Sequence, residues 1–129
     1  MTRILLDSHA FFWFLDGDPR LSTPARQAIE EPDAVVHVSA VTAFEIVNKV
    51  RVGKWPAAAA LALHLPQIIS RFSFEPLPLT IEHARHAGLL AAPHRDPFDR
   101  MLAAQAEVED IPIVTADADF AQFNVRTIW

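Results

Sequence analysis

Two short apolar segments near opposite ends of the chain are each followed by an aspartate. Asp7 comes directly after the run at residues 4–6, and Asp117 lies just beyond the run at residues 113–115. Continuously apolar runs of this length predict strands that are buried on both faces, as in a parallel sheet. Open α/β sheets bind ligands beyond the carboxyl ends of such strands. We therefore expect the two carboxylates to share one site, where a divalent cation offsets their mutual repulsion.

The rest of the chain alternates short apolar segments with segments of helical periodicity. Two prolines within residues 73–79 mark that segment as an edge strand. Strands alternating with helices predict an α/β fold, a three-layer α/β/α sandwich with a mainly parallel sheet of four to five strands. Strands are predicted at residues 2–6, 34–38, 73–79, 111–114 and 125–128, and helices at residues 10–15, 22–31, 39–52, 56–71, 80–90, 96–109 and 118–122.

The composition is that of a globular protein without thiol chemistry. With 129 residues, of which 51% are hydrophobic and 21% charged, we expect a single domain over residues 1–129. The absence of cysteine excludes disulfides, a thiol nucleophile and thiolate metal sites, and it is compatible with the cytoplasmic location that we expect. Asp7 and His9 interrupt the apolar start, which argues against a signal peptide. No run reaches the roughly 20 apolar residues of a membrane span.

The charge balance bears on nucleic-acid binding. A formal net charge of −5 argues against binding nucleic acid through overall charge. Local basic residues remain candidates for phosphate contacts, because bound cations would neutralise much of a local acidic cluster. These candidates are Lys49, Arg51, Arg95 and Arg100.

Three further acids have both a structural and a functional interpretation. Asp96 followed by Pro97 is typical of a helix start, with Asp99 in the first turn. On a helical wheel Glu45 lies opposite an apolar arc, which indicates an exposed Glu45–Lys49 pair, although Glu45 could also line the rim of a cleft. Spacing alone leaves both interpretations open. The apolar arc consists of Ala40, Ala43, Phe44, Val47 and Val50.

Serine, histidine and aromatic residues carry weaker signals. Ser8 is expected to cap the first helix. His83 and His86 could bind a metal from one helix face, but no third ligand is evident, and a solvated face is the simpler interpretation. The aromatic residues 11–14 are most simply core, and their density also leaves room for a partner interface.

Four segments together resemble the PIN-domain family, and more narrowly its VapC-like toxins of type II toxin–antitoxin modules. They are LLDSHAFFWFL, VSAVTAFEIVNKVRVGKW, HRDPFDRMLAAQA and VTADADF, in the family's order and at compatible spacing. A single aspartate after a strand has no diagnostic value, whereas four segments spread over the chain are specific. The resemblance implies an α/β/α sandwich that hydrolyses RNA with the help of metal ions.

The resemblance also implies roles for individual residues. The family's four acids, which are catalytic and bind metal, fall on Asp7, Glu45, Asp99 and Asp117. Asp96 matches an acid common in this subgroup, and Ser8 and Thr115 match small hydroxyl positions beside the site, so these three are supplementary site residues. Mg²⁺ is the expected cofactor, with Mn²⁺ as an alternative, because the donors are carboxylate oxygens.

The implied activity is cleavage of RNA by the toxin of a toxin–antitoxin module, which leaves a 5′-phosphate and a 3′-hydroxyl. The implied partners are RNA, a cognate antitoxin that covers the acidic site, and a second copy of the chain in a homodimer.

Two other classes of α/β protein with a strand-end aspartate are disfavoured. A receiver-like regulator would need a lysine at the end of a late strand, but no lysine follows Lys54. A haloacid-dehalogenase-type phosphatase would need Asp-x-Asp after the first strand, but the chain has Asp7-Ser8-His9 there. A partner-titrating binding module with an inactive acidic site stays open.

Overall fold

A parallel sheet of five strands lies at the centre of the protein. The computed structural model describes residues 2–93 and 95–129; His94, which begins the third quoted segment, lies outside them. The strands follow the spatial order β3-β2-β1-β4-β5 with every pairing parallel, so the predicted α/β fold is confirmed. They are β1 (Thr2–Leu6), β2 (Ala34–Ser39), β3 (Glu75–Leu77), β4 (Ile113–Val114) and β5 (Thr127–Ile128). The proline-containing strand β3 lies at an edge, as predicted.

Strand β1 is buried on both faces, as its continuously apolar sequence predicts. Ile4 and Leu6 belong to one hydrophobic cluster and Leu5 belongs to a second one. This division follows from the strand itself, because successive side chains point to opposite faces of a sheet. Phe11 contributes to the first cluster and Leu102 to the second, so helices cover both faces of the sheet.

The described residues form seven α-helices and two short 3₁₀ turns. The helices are α1 (Ser8–Asp16), α2 (Thr23–Glu30), α3 (Ala40–Arg51), α4 (Ala59–Leu63), α5 (Leu65–Arg71), α6 (Ile81–Leu89) and α7 (Pro97–Glu109). The 3₁₀ turns are Pro56–Ala58 and Ala118–Gln122. None of the helices in this part of the chain is long and apolar enough to cross a membrane.

The predicted continuous helix over residues 56–71 is wrong. The chain there forms a 3₁₀ turn followed by α4 and α5, which are separated at His64. Pro66 explains the break because it has no backbone N–H to continue the hydrogen-bond ladder of α4. Proline is tolerated in the first turn of α5, where the N–H groups have no partner within the helix.

Asp7, and not Ser8, caps α1. The Asp7 Oδ1 atom accepts the backbone N–H of Ala10 at 2.8 Å. The helix begins at Ser8, two residues earlier than predicted, which puts the buried Ser8 side chain inside the first turn. The residue that ends β1 therefore also starts α1, and this fixes its carboxylate at the edge of the sheet.

His83 is buried, so the predicted solvated face of α6 is wrong at this position. The His83 Nδ1 atom accepts the N–H of Thr80 at 3.1 Å, and Nε2 lies 3.0 Å from Glu109 Oε2. Since Nδ1 is an acceptor, the ring proton is on Nε2 and is donated to Glu109. The half-buried His86 lies 3.3 Å from Glu107. Both histidines thus connect α6 to α7.

Arg100 joins α7 to the end of α6. Its guanidinium group donates to the backbone oxygens of Ala87 at 2.8 Å, Leu90 at 2.6 Å and Ala92 at 2.8 Å. The last carbonyl groups of a helix lack partners within that helix. Arg100 supplies such partners and holds the segment that leads into α7.

Arg100→Lys should lower the free energy of unfolding by about 1–3 kcal/mol. One ammonium group cannot reach the three carbonyl oxygens that the planar guanidinium spans. Urea denaturation followed by circular dichroism measures the change. Arg95→Lys is the matched control, since Arg95 is exposed, and should change the value by less than about 0.5 kcal/mol. Equal losses in the two variants would contradict this role of Arg100.

Candidate active site

The four predicted acids line one small cavity at the carboxyl edge of the sheet. Asp7 follows β1, Asp117 follows β4, Glu45 lies on α3, and Asp99 lies in the first turn of α7. The cavity has a volume of about 140 Å³. The fold thus brings together carboxylates from both ends and the middle of the chain. The rest of the lining is formed by Ser8, His9, Val41, Thr42, Lys49, Asp96, Phe98, Leu102 and Phe120.

The register of the central strands places Asp7 beside Thr115. Leu6 pairs with Val114, and the Asp7 N–H donates to the Val114 carbonyl oxygen at 3.2 Å. The buried Thr115 hydroxyl forms a hydrogen bond with the Asp7 carboxylate and accepts the N–H of Asp117 at 3.0 Å. A hydroxyl can do both because it has one donor and two acceptor lone pairs. Thr115 therefore links the two strand-end aspartates.

Burial raises the pKa of Asp7 from 3.8 to about 6. The hydrogen bonds from Thr115 and from the Ala10 N–H lower this pKa, while the negative charges of Glu45 and Asp117 raise it further. A raised carboxyl pKa means that the surrounding protein compensates the negative charge poorly. A cation in the cavity would therefore stabilise the ionised form of Asp7.

Helix α3 turns its polar side towards the cavity, so of the two interpretations of Glu45 the exposed one is wrong and the one that places it at a cleft is confirmed. Thr42 is 1% exposed and Glu45 is 9% exposed, whereas Phe44 is 60% exposed. The Glu45–Lys49 pair does form, with Lys49 Nζ 2.6 Å from Glu45 Oε2, but Glu45 is buried. The wheel argument assumes that the apolar arc faces the core. Here the polar side faces the cavity, Ala43 and Val50 of the arc pack against the core, and Phe44 lies on the surface.

Asp96 and Asp117 both start helical segments while lining the cavity. Asp96 caps α7 as predicted: its Oδ1 atom accepts the N–H groups of Phe98 at 2.9 Å and Asp99 at 3.3 Å. Asp117 caps the second 3₁₀ turn through the N–H of Asp119 at 2.9 Å. Backbone N–H groups at a helix start favour the ionised form of a nearby carboxylate. Capping and a place in the cavity are therefore compatible.

Lys49 is the one predicted phosphate contact that lines the cavity among the described residues. Arg51 is exposed at the end of α3 and donates to Asn48 Oδ1 at 2.6 Å. Arg95 is exposed directly before Asp96. Arg100 forms the carbonyl contacts at the end of α6. Contact of all four with RNA stays a prediction.

Sequence reasoning did not identify His9, Thr42 and Phe98 as site residues, although they line the cavity. Thr42 lies three residues before Glu45, a spacing that puts both on one side of a helix, and this signal could have found it. His9 follows Asp7 by two residues and so lies at the same edge of the sheet. Phe98 directly precedes Asp99 in the first turn of α7.

The chemistry of the lining fits a hard divalent cation, because its donors are mainly carboxylate oxygens. Five carboxylates, one ammonium group and one imidazole belong to the lining. Within residues 2–93 and 95–129, no three acidic or histidine side chains form a ready-made metal-binding group. Mg²⁺ usually binds one or two carboxylates and keeps several waters, so it does not require an all-protein cage.

The fold and the cavity define an α/β protein with a carboxylate site at the carboxyl edge of a parallel sheet. Residues 4–125 match the family model described as PIN domain. The chain belongs to the PIN-domain family, and the resemblance that the four sequence segments indicate is confirmed.

Individual relatives agree with this assignment. Ribonuclease VapC22 of Mycobacterium tuberculosis is 30% identical over 91% of this chain and 88% of the relative. The crystal structure of VapBC2 from Rickettsia felis bound to a promoter DNA fragment shares the fold. Its TM-score to this chain is 0.73 at 15% identity, over 98% of this chain and 97% of that chain. A toxin–antitoxin complex from Klebsiella pneumoniae has a TM-score of 0.64 at 19% identity, over 92% of this chain and 90% of that one.

Asp7→Asn should stabilise the metal-free protein at pH 8 and lose this advantage towards pH 4. The pKa of about 6 means that the Asp7 carboxyl binds its proton more tightly when folded than when unfolded. Wild-type stability therefore falls as the pH rises from about 4 to about 6. Asparagine carries no charge that burial would desolvate, so we expect the free energy of unfolding to rise by about 1–3 kcal/mol at pH 8.

Urea denaturation in EDTA at several pH values measures this difference. Asp119→Asn is the matched control, because Asp119 is an exposed aspartate two residues beyond Asp117 and does not line the cavity. It should change stability by less than about 0.5 kcal/mol at every pH. A gain in Asp7→Asn that does not vary with pH would contradict the raised pKa.

Proposed function

We propose that this protein is a metal-dependent ribonuclease that hydrolyses RNA phosphodiester bonds as the toxin of a type II toxin–antitoxin module. The observation that carries the proposal is the cavity, in which Asp7, Glu45, Asp99 and Asp117 meet at the carboxyl edge of a PIN-family sheet. The relative Ribonuclease VapC22, which matches over most of both chains, supports the same chemistry.

Mg²⁺, with Mn²⁺ as an alternative, is the proposed cofactor. Asp7, Asp99 and Asp117 would hold it, and Glu45 would hold a second ion or orient the attacking water. When bound, the ion lowers the pKa of water and offsets the negative charge of the phosphodiester as it reacts. The raised pKa of Asp7 supports this assignment, because the protein alone leaves that charge poorly compensated.

The proposed reaction uses water as the nucleophile. Water attacks the phosphorus atom, a new P–O bond forms, the P–O3′ bond breaks, and the leaving 3′ oxygen takes up a proton. The products are a 5′-phosphate and a 3′-hydroxyl. Lys49 is the cation of the lining and is our candidate for contacting the reacting phosphate, with Arg51, Arg95 and Arg100 as candidates for flanking phosphates.

A cognate antitoxin is the proposed protein partner, in line with the toxin–antitoxin complex that shares this fold. An open, largely apolar groove of about 610 Å³ runs beside α1 and offers a surface for it. Its walls include Phe12, Leu15, Leu61, Ile68 and Phe72. Apolar grooves of this kind accept the apolar side of a partner helix.

A homodimer in the cytoplasm is the proposed state of the protein. The exposed Phe44 ring lies 5.8 Å from the ring of Phe98, and both line a small apolar depression together with Leu79 and Met101. Exposed apolar patches of this kind favour association with another protein surface. The absence of cysteine agrees with a reducing compartment.

Cleavage by the purified, antitoxin-free protein tests the function. We expect Mg²⁺-dependent cleavage of RNA that EDTA abolishes and added Mg²⁺ restores. Asp99→Asn should lower kcat/KM more than about 100-fold, because it removes one charged ligand of the metal. Asp119→Asn is again the matched control and should stay within about twofold, because Asp119 lies outside the lining.

The substrate for this assay comes from mapping 5′-phosphate ends in total RNA after brief induction, beside an induced Asp7→Asn strain. New ends that appear only with the wild type identify the cut sites. If the wild type gives no new ends and cuts neither tRNA nor rRNA while binding Mg²⁺, the protein is a partner-titrating binding module and the ribonuclease proposal fails.

A further inference from the structure

All three tryptophans of the chain lie on one surface together with His9, beside the acidic cavity. The His9 ring lies 5.4 Å from the Trp13 ring and 4.9 Å from the Trp55 ring, measured between centroids. The Trp129 ring lies 5.8 Å from that of Trp13. We call these four residues the tryptophan surface. His9 also lines the cavity, so this surface is continuous with the proposed active site.

Packing of the core accounts for only part of the tryptophan surface. Trp13 and Trp55 pack against the first hydrophobic cluster but stay partly exposed, and His9 and Trp129 are exposed. A histidine between two tryptophans also adds a polar ring where an apolar side chain would pack better. The rings therefore present aromatic area to solvent at the rim of the cavity.

Two cations lie over the rings of the tryptophan surface. The Arg20 guanidinium carbon is 4.8 Å from the centroid of the Trp13 ring, and Lys49 Nζ is 6.0 Å from that of Trp55. Lys49 lies on the boundary, because it lines the cavity and pairs with Glu45. Aromatic rings next to basic side chains are the combination that binds single-stranded nucleic acid, with bases stacked on the rings and phosphates near the cations.

We propose that the tryptophan surface is a nucleobase-stacking subsite, which holds an unpaired base of the RNA next to the phosphodiester that is cut. The inference rests on the proposed function and deepens it by naming the side chains that hold a base of the RNA next to the phosphodiester that is cut. His9 and Trp55, the rings nearest to Lys49 and the cavity, contact the base. Arg20 and Lys49 lie near its flanking phosphates.

Intrinsic fluorescence provides a readout that needs no cleavage, because every tryptophan of the chain belongs to this surface. The probe is a short single-stranded oligoadenylate, titrated into Asp99→Asn protein with Mg²⁺ present. Stacked adenines should quench the tryptophan emission. An oligomer of the same length with abasic riboses should quench little and bind about 5- to 150-fold more weakly by anisotropy of an end label.

Two substitutions of His9, each introduced into the Asp99→Asn protein, separate stacking from other roles of this residue. His9→Phe keeps an aromatic ring and should leave the dissociation constant of oligoadenylate within about twofold. His9→Leu keeps a side chain of similar bulk without the ring and should raise it at least about fivefold. The abasic oligomer should bind both variants equally, which shows that neither change acts through folding or charge.

The subsite proposal is overturned if abasic and adenine oligomers bind and quench alike. It is also overturned if His9→Leu weakens both oligomers equally, or if the oligomer binds without changing the emission. In that last case the oligomer binds elsewhere on the protein. The titrations measure binding and not cleavage. They can therefore still test the subsite if the cleavage assay contradicts the ribonuclease proposal. Normal cleavage of loop RNA by His9→Leu would overturn the subsite alone.

Discussion

The crowding of carboxylates at one edge of the sheet is the constraint on which the rest of the structure depends. The pairing of Leu6 with Val114 puts Asp7 next to Thr115, and α3 and α7 bring Glu45 and Asp99 to the same cavity. Strand β1 is buried on both faces, so it cannot shift to relieve the repulsion without exposing one of the two cores. The charges must therefore be compensated where they are.

The chain compensates them mainly with helix starts. Asp7 caps α1, Asp96 caps α7 and Asp117 caps the second 3₁₀ turn, so three of the acids accept backbone N–H groups within their own segment. Such donors favour an ionised carboxylate. They also direct part of each carboxylate towards its own helix, which agrees with the absence of a ready-made metal group in the described residues. The raised pKa of Asp7 shows that this compensation is incomplete.

Sequence reasoning predicted features that depend on local chemistry and missed those that depend on which face a helix buries. Burial of β1 and the cap at Asp96 follow from short patterns. The orientation of α3 does not: Thr42 and Glu45 are buried because they face the cavity, while Phe44 is exposed. His83 is buried through a partner 26 residues away, Glu109, which no local pattern reveals. Glu45 joined the candidate site through the family resemblance, because spacing alone could not decide its orientation.

Lys49 connects this electrostatic problem to the proposed chemistry. In the structure its ammonium group neutralises Glu45 at 2.6 Å and also lies over the Trp55 ring. A metal ion held by the carboxylates would supply the same compensation, and Glu45 would then no longer need Lys49 as its partner. The ammonium group is flexible enough to turn to a phosphate while its side chain stays on α3. One residue thus pairs with Glu45 in the structure and, in the proposed mechanism, contacts the substrate.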